Sequence, residues 1–165
     1  MGNISNEQLN ITLARLIPIL QNYGDPYTTY FELLYLYGLR PGEVRACKDW
    51  DFEEVSGIKV YLLKKQDFRI LHMEEQEKEE IYNSLDNFEF LKFVNQGTAN
   101  NIQDRYLNVK FRLSTGKNLG NYTYRHNYIK KLYDAGMSAA DIAELIGEQS
   151  VLNIYGYINS DITAF

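Results

Sequence analysis

The sequence predicts a mainly helical α+β domain with a small antiparallel sheet, on three observations. Apolar residues recur at three- and four-residue spacing through most of the chain, which is helical periodicity. Two β-branched and apolar runs, 57–63 (GIKVYLL) and 68–73 (FRILHM), are separated by the polar stretch Lys64-Lys65-Gln66-Asp67, the pattern of a hairpin. Finally, 165 residues with 45% hydrophobic and 24% charged content match one globular domain with its own core rather than a disordered chain. The reading is a single domain over residues 1–165.

The elements follow in chain order. Ser5 with Gln8 three residues later resembles a capping box, opening a helix through Leu9, Leu13, Leu16, Ile17 and Leu20 that Pro18 should bend or end early. A second helix has Asp25 as N-cap, Pro26 at its first position and Gly38 after its last turn. Its Tyr30, Phe31, Leu33, Leu34 and Tyr37 are apolar nearly all round, so it belongs to the core. Pro41 can start a further short helix. After the hairpin, helices are expected over roughly 75–94, 98–112, 122–135 and 138–146, with Gly136 and Gly147 as stops and Ser138 with Asp141 as a weak cap.

Several classes are excluded. No apolar run approaches the roughly 20 residues of a membrane span, and no signal-peptide pattern opens the chain. One cysteine, Cys47, and two histidines, His72 and His126, rule out a disulfide framework and a Cys- or His-rich metal cage. The chain therefore reads as soluble and cytoplasmic, with no membrane association, no metal and no cofactor. The formal charge of −5 argues against nucleic acid, but it is strongly segregated. Residues 104–134 carry Arg105, Lys110, Arg112, Lys117, Arg125, Lys130 and Lys131 against only Asp104 and Asp134. The last 31 residues carry Asp141, Glu144, Glu148 and Asp161 and no Lys or Arg. The run Glu74, Glu75, Glu77, Glu79, Glu80 reads as a solvated helix face, and the basic segment as the place where an anionic partner docks.

Four motifs stand in order along the chain. Residues 37–44 (YGLRPGEV), followed by Asp51, resemble the first signature box of the tyrosine recombinases, the phage-integrase family. Residues 122–126 (YTYRH) resemble its His-x-x-Arg-His box. Residues 142–157 (IAELIGEQSVLNIYGY) resemble its closing segment, in which an apolar-Gly-His pair precedes the nucleophilic tyrosine. The hairpin turn with Lys64 and Lys65, and Arg69 after it, is similar to the family's β-hairpin lysine. The resemblance covers nearly the whole chain, from about Ile4 to Tyr157, and the ordered set is more specific than any member. It implies an integrase-type catalytic domain without the N-terminal core-binding domain. It also implies site-specific cleavage and rejoining of double-stranded DNA (recombination or integration of a mobile element) and self-association on DNA as dimer to tetramer.

Chemistry supplies reasons for these residue types. Breaking a phosphodiester without metal needs a nucleophile, a clamp for the charged transition state and an acid for the departing oxygen. A permanently charged planar guanidinium suits the clamp, so Arg40 and Arg125 take that role. Lysine can release a proton, which suits Lys64 or Lys65 as general acid. Tyr157 as nucleophile conserves the bond as a phosphotyrosine, with Tyr155 a rival two residues away. Glu43, three residues after Arg40, is placed to orient it. His126 reads as a structural helix-start residue or as an assisting donor. The sequence departs from the family twice: Tyr122 stands where the box-two histidine falls, and Glu148 where His or Trp follows the glycine. An ionised carboxylate about 4 Å from a phosphate costs roughly 4 kcal/mol at an effective dielectric near 20. Glu148 is thus expected to be protonated, paired with an arginine, or turned away. Two rival readings remain: a catalytically impaired relative that binds DNA or a recombinase, and a helical protein-interaction module.

Overall fold

The computed structural model describes residues 4–20, 25–86 and 96–163. Helix α1 (Asn6–Leu20) opens as expected, the Gln8 amide donating to Ser5 Oγ at 3.1 Å. Pro18 lies inside α1 and does not break it. The proline removes the one N–H that would bond back to Ala14, and the described helix runs to Leu20 despite that loss. Helix α2 (Asp25–Tyr37) is the core helix the sequence predicts: Tyr30, Phe31, Leu33 and Leu34 are buried, and α2 packs on α1. The rings of Tyr30 and Phe31 meet edge-on at 4.8 Å. Each such side chain contributes about 1.5–3 kcal/mol by leaving water.

A short helix α3 (Pro41–Arg45) follows, with Pro41 in its first turn, then a 3₁₀ turn Cys47–Asp49. Strands β1 (Gly57–Leu62) and β2 (Asp67–His72) form the antiparallel hairpin, in register from Gly57 opposite His72 to Leu62 opposite Asp67. β1 ends one residue earlier than its hydrophobic run suggests and β2 is shifted one residue earlier, taking in Asp67; the turn between them holds Gln66 at φ 54°. Ile58, Val60, Leu62 and Leu71 cover the core.

Helix α4 (Glu75–Asp86) bears the acidic run; its expected continuation over 87–94 lies outside the described residues. The helix read as 98–112 is three pieces: α5 (Gln96–Asn101), a π-helical turn (Ile102–Leu107) and α6 (Asn108–Thr115). The wider turn buries Ile102, Gln103 and Leu107 together, and Gln103 is the reason. Its amide donates to the Leu119 carbonyl at 2.5 Å and accepts from the Tyr124 hydroxyl at 2.6 Å. Helix α7 (Thr123–Asp134) packs against α2, and α8 (Ala139–Ile146) starts on Ser138, whose Oγ accepts from the Asp141 amide at 3.1 Å. A last helix, α9 (Val151–Ile158), capped by Ser150, is absent from the sequence reading. Among the described residues no helix is long and apolar enough to cross a membrane.

Among the described residues two clusters make up the core. The larger joins α1–α3, the hairpin, Ile81 of α4, α5, α6 and Tyr124; the smaller joins Ile129, Ala139, Ile142, Ala143, Ile146 and Ile154 from α7, α8 and α9. The tail turns back in cis: Ile162 is buried in the larger cluster, and Asp161 Oδ2 accepts from the Ile4 amide at 3.0 Å. Ile158 packs against the smaller cluster; Phe165 lies outside the described residues.

Gly38 ends α2 in the left-handed region at φ +66°, and an added Cβ would lie 2.5 Å from Tyr128 Cδ1. Gly38→Ala is therefore expected to cost about 3 kcal/mol from backbone strain and overpacking together. Gly156→Ala, in an α9 position with nothing within 4 Å of the new Cβ, is expected to be neutral or to gain up to about 1 kcal/mol. Urea midpoints of the two variants read both effects, and similar midpoints would contradict this placement of Gly38.

Candidate active site

The exit from α2 creates the first half of the site. Gly38 turns the chain, Leu39 is buried, and Arg40 adopts an extended conformation (φ −75°, ψ 147°) as N-cap of α3. Glu43, fully buried at the third helical position, reaches back: its Oε1 accepts from the Arg40 amide at 2.9 Å. Its Oε2 accepts from Arg40 Nη1 at 3.3 Å. The carboxylate thus holds both the backbone and the guanidinium of Arg40.

The second half comes from the start of α7. Thr123 anchors that start, its Oγ1 accepting from the Gly120 amide at 2.9 Å, and Arg125 two residues on points inward with 1% of its surface exposed. Its Nη1 donates to the Gly38 carbonyl at 2.6 Å, and its Nη2 to the Ile146 carbonyl at 3.1 Å and to Glu148 Oε1 at 3.2 Å. The same Glu148 Oε1 accepts from Arg40 Nη2 at 2.6 Å. One carboxylate oxygen therefore joins two guanidiniums that stand 85 residues apart in sequence.

Of the three fates open to Glu148, pairing is the one found. Burial alone would raise its pKa, but Arg125, Arg40 and the amide of Asn153, which donates to Oε2 at 3.3 Å, outweigh that and hold it below the usual range. Glu148 is ionised at neutral pH. Burial and the nearby Arg40 pull Arg125 down, while Glu43, Glu148 and Tyr157 push it back up. Two guanidiniums and two carboxylates sum to zero charge. The Coulomb energy gathered here offsets a desolvation penalty of several kcal/mol per ion.

Tyr157 sits in the field of this cluster. Burial raises its pKa most, Arg125 and Arg40 lower it, and Glu148 and Tyr122 raise it. His126 lies behind it, fully buried: the rings meet edge-on at 5.2 Å, and His126 Nε2 bonds the Tyr157 carbonyl. His126 is thus a positioning group for the tyrosine backbone, in line with the structural reading. Burial, chiefly, pushes its pKa down to about 4. Tyr155 is exposed on α9, and no interaction joins it to the arginines among the described residues. Tyr122 is the half-exposed N-cap of α7 and reaches Tyr157 electrostatically.

The two lysines separate. Lys65 is engaged, its Nζ 2.5 Å from Glu144 Oε1 on α8. Lys64 is exposed with no ion pair among the described residues, and its carbonyl accepts from Gln149 Nε2 at 3.2 Å. Both contacts hold the hairpin turn against the 144–149 segment. Arg69 is not at the cluster surface. It is buried, donating to the Tyr37 carbonyl at 2.8 Å and the Tyr128 hydroxyl at 2.9 Å, and so braces the same α2 exit. The basic segment is also less uniform than its count suggests, since Arg125 is internal and Lys131 lies over the Tyr35 ring at 5.8 Å.

Asn153 was not legible as a site residue; a lone Asn five positions after Glu148 carries no sequence signal. Among the described residues no group of three His, Cys, Asp or Glu is placed to hold a metal. A cleft of about 640 Å³ between α2 and α4 is walled by Glu32, Glu77 and Glu80, which repel a phosphate. Comparison with protein-family models, curated proteins and solved structures finds no significant match.

The pH dependence of stability follows from two depressed groups. His126 in the fold stays neutral while an unfolded histidine takes up a proton near pH 6.5, so stability is full above about 6.5 and falls as pH drops toward 4. Glu148 continues the loss below its ordinary value of 4.5. Urea midpoints from pH 7 to 4 should fall steadily in the wild type and less steeply above pH 4.5 in His126→Asn. A wild-type midpoint that is flat between 6.5 and 4.5 would contradict a buried neutral His126.

Proposed function

We propose that this chain cleaves and rejoins DNA strands by metal-free transesterification, as a tyrosine-recombinase-like catalytic domain. The observation that carries the reading is the convergence of Arg40, Arg125 and Tyr157 on one electrostatic neighbourhood from three segments far apart in sequence. The phenol oxygen of Tyr157 attacks phosphorus, its proton passes to water, and a 3′-phosphotyrosine forms as the bond to the 5′-oxygen breaks. Arg40 and Arg125 hold the non-bridging oxygens of the pentacoordinate transition state. Lys64, exposed and unpaired among the described residues, protonates the departing 5′-oxygen. Tyr122, half-exposed beside this field, is a hydroxyl donor to the same phosphate. Rejoining is the reverse attack by a 5′-hydroxyl, so no ATP is consumed.

A second reading is favoured by one specific observation: Glu148 already fills the space between the two guanidiniums, leaving a cluster without net charge. On that reading the chain is a catalytically impaired relative that binds DNA or a recombinase.

The two readings part on one experiment. Incubation with nicked duplexes from the DNA flanking its own gene is expected to give an SDS-resistant adduct with wild type and Tyr155→Phe and none with Tyr157→Phe. Arg40→Lys and Lys64→Ala should slow adduct formation about a hundredfold or more. Duplex binding should survive in Tyr157→Phe and weaken steeply between low and moderate salt. Salt-sensitive binding with no adduct selects the second reading, and no binding at either ionic strength removes both.

A further inference from the structure

We infer that Glu148 is an internal mimic of the substrate phosphate, a side-chain plug that an incoming anion must displace from between Arg40 and Arg125. The inference rests on the proposed role of the two arginines as a phosphate clamp. Its basis is geometric. Oε1 accepts one hydrogen bond from each guanidinium, at 2.6 and 3.2 Å, which is what a non-bridging phosphate oxygen held by both would do.

The backbone around Glu148 is fixed by helix ends, while its side chain is held only by polar contacts that another anion can replace. Gly147 ends α8 at φ +75°, and the Glu148 amide donates to the Ala143 carbonyl at 2.9 Å, closing the helix end. Ser150 starts α9 two residues later, its Oγ accepting from the Leu152 amide at 3.2 Å. Between two such caps the main chain has no need to move. Rotation about the three side-chain bonds of Glu148 would break the contacts to Arg40, Arg125 and Asn153 without moving the main chain. The incoming anion must then take over as acceptor, because an uncompensated Arg125 destabilises the fold. The exposed end of the cluster is Arg40, whose side chain keeps 10% of its surface, whereas that of Arg125 keeps 1%. An anion thus enters past Arg40.

Charge defines what opens the site. With Glu148 inward, Arg40, Arg125, Glu43 and Glu148 sum to zero; with it outward, the pair of arginines presents one net positive charge against Glu43. Tyr157 is the other titratable group in its field, with Tyr122 acting on Tyr157 in turn. Acid is not the opener, since the arginines keep the carboxylate ionised below the ordinary glutamate range. The Glu148 carboxylate also raises the pKa of Tyr157, and a phosphate held in its place carries negative charge to the same position. The exchange therefore frees the clamp without changing the sign of the charge beside the phenol. Occupied by its own carboxylate, the resting site is inert toward isolated phosphate and responds to an anion delivered by wider contacts.

Thermal unfolding with inorganic phosphate as probe, against sodium chloride at matched ionic strength, tests this without DNA. Wild type is expected to show no specific rise in Tm at 20 mM phosphate. Glu148→Gln, which keeps the shape and removes the charge, should show a saturable rise, with at least tenfold tighter apparent phosphate affinity. Glu148→Asp, one methylene shorter, should fall between them. If Glu148→Gln folds only in phosphate, the anion is replacing the carboxylate and the inference stands. Equal responses of wild type and Glu148→Gln, no response in either, or a Glu148→Gln that stays unfolded in both salts would overturn it. The DNA assay separates the two claims. Phosphate binding by Glu148→Gln without any adduct leaves the plug and removes the catalytic reading, whereas adduct formation at equal rates in wild type and Glu148→Gln does the reverse.

Discussion

A guanidinium as deeply buried as Arg125 needs acceptors, and its neighbours supply them to both terminal nitrogens while Nε is left without one among the described residues. Left uncompensated, such a charge destabilises the fold by about 3–5 kcal/mol. Its acceptors come from separate segments: Gly38 at the exit of α2, Ile146 at the end of α8, and Glu148 just beyond. Each is available because a helix stops there. A carbonyl inside a continuing helix would be spent on its own turn. The glycines at 38 and 147, both at positive φ, are thus requirements of the cation as much as of the helices they end.

That requirement explains why the charged cluster and the fold cannot be separated. Arg40 is set by Glu43, and Arg125 by two carbonyls; Glu148 then couples the two arginines across the junction of the larger and smaller core clusters. Arg69 braces the same junction from the hairpin side through Tyr37 and Tyr128. Lys65 and Gln149 fasten the hairpin turn to the end of α8 and the loop after it. Arg40 and Arg125 are therefore held by segments that are themselves pinned, which is the arrangement that fixes charged groups in place.

Much of this was legible in the sequence, and the exceptions have physical reasons. Core helix α2 was readable because Asp25-Pro26 and Gly38 mark its ends and its apolar residues wrap all round it. The hairpin was readable from its two runs and polar turn. The π-helical turn at 102–107 was not, because it depends on a bond from Gln103 to Leu119 that exists only after folding. Helix α9 was hidden by Gly156 and by the β-branched and aromatic residues of VLNIYGYI, whose propensity for helix is modest; Ser150 was its one local signal. At the site, the sequence singles out Arg40, Glu43 and Arg125, and the structure brings them together. That Glu148 joins both arginines was not, since pairing across 108 residues has no local signature. The position of Lys64 relative to Lys65 was likewise decided by tertiary contact with Glu144.

The returning tail has a consequence for how copies of this chain can associate. Segment exchange between neighbours is a common route to oligomers when a terminal element is loosely attached. Here the stretch after Tyr157 is not loose. Ile162 is sunk in the main core, Asp161 is tied to Ile4 at the opposite end of the chain, and the carbonyl of Tyr157 itself is bonded by His126. Handing this tail to a second copy would mean withdrawing an isoleucine from the interior and exposing a hole in its place. In this conformation Tyr157 stays in the field of Arg40 and Arg125 of the same chain, and exchange of the segment after it is disfavoured.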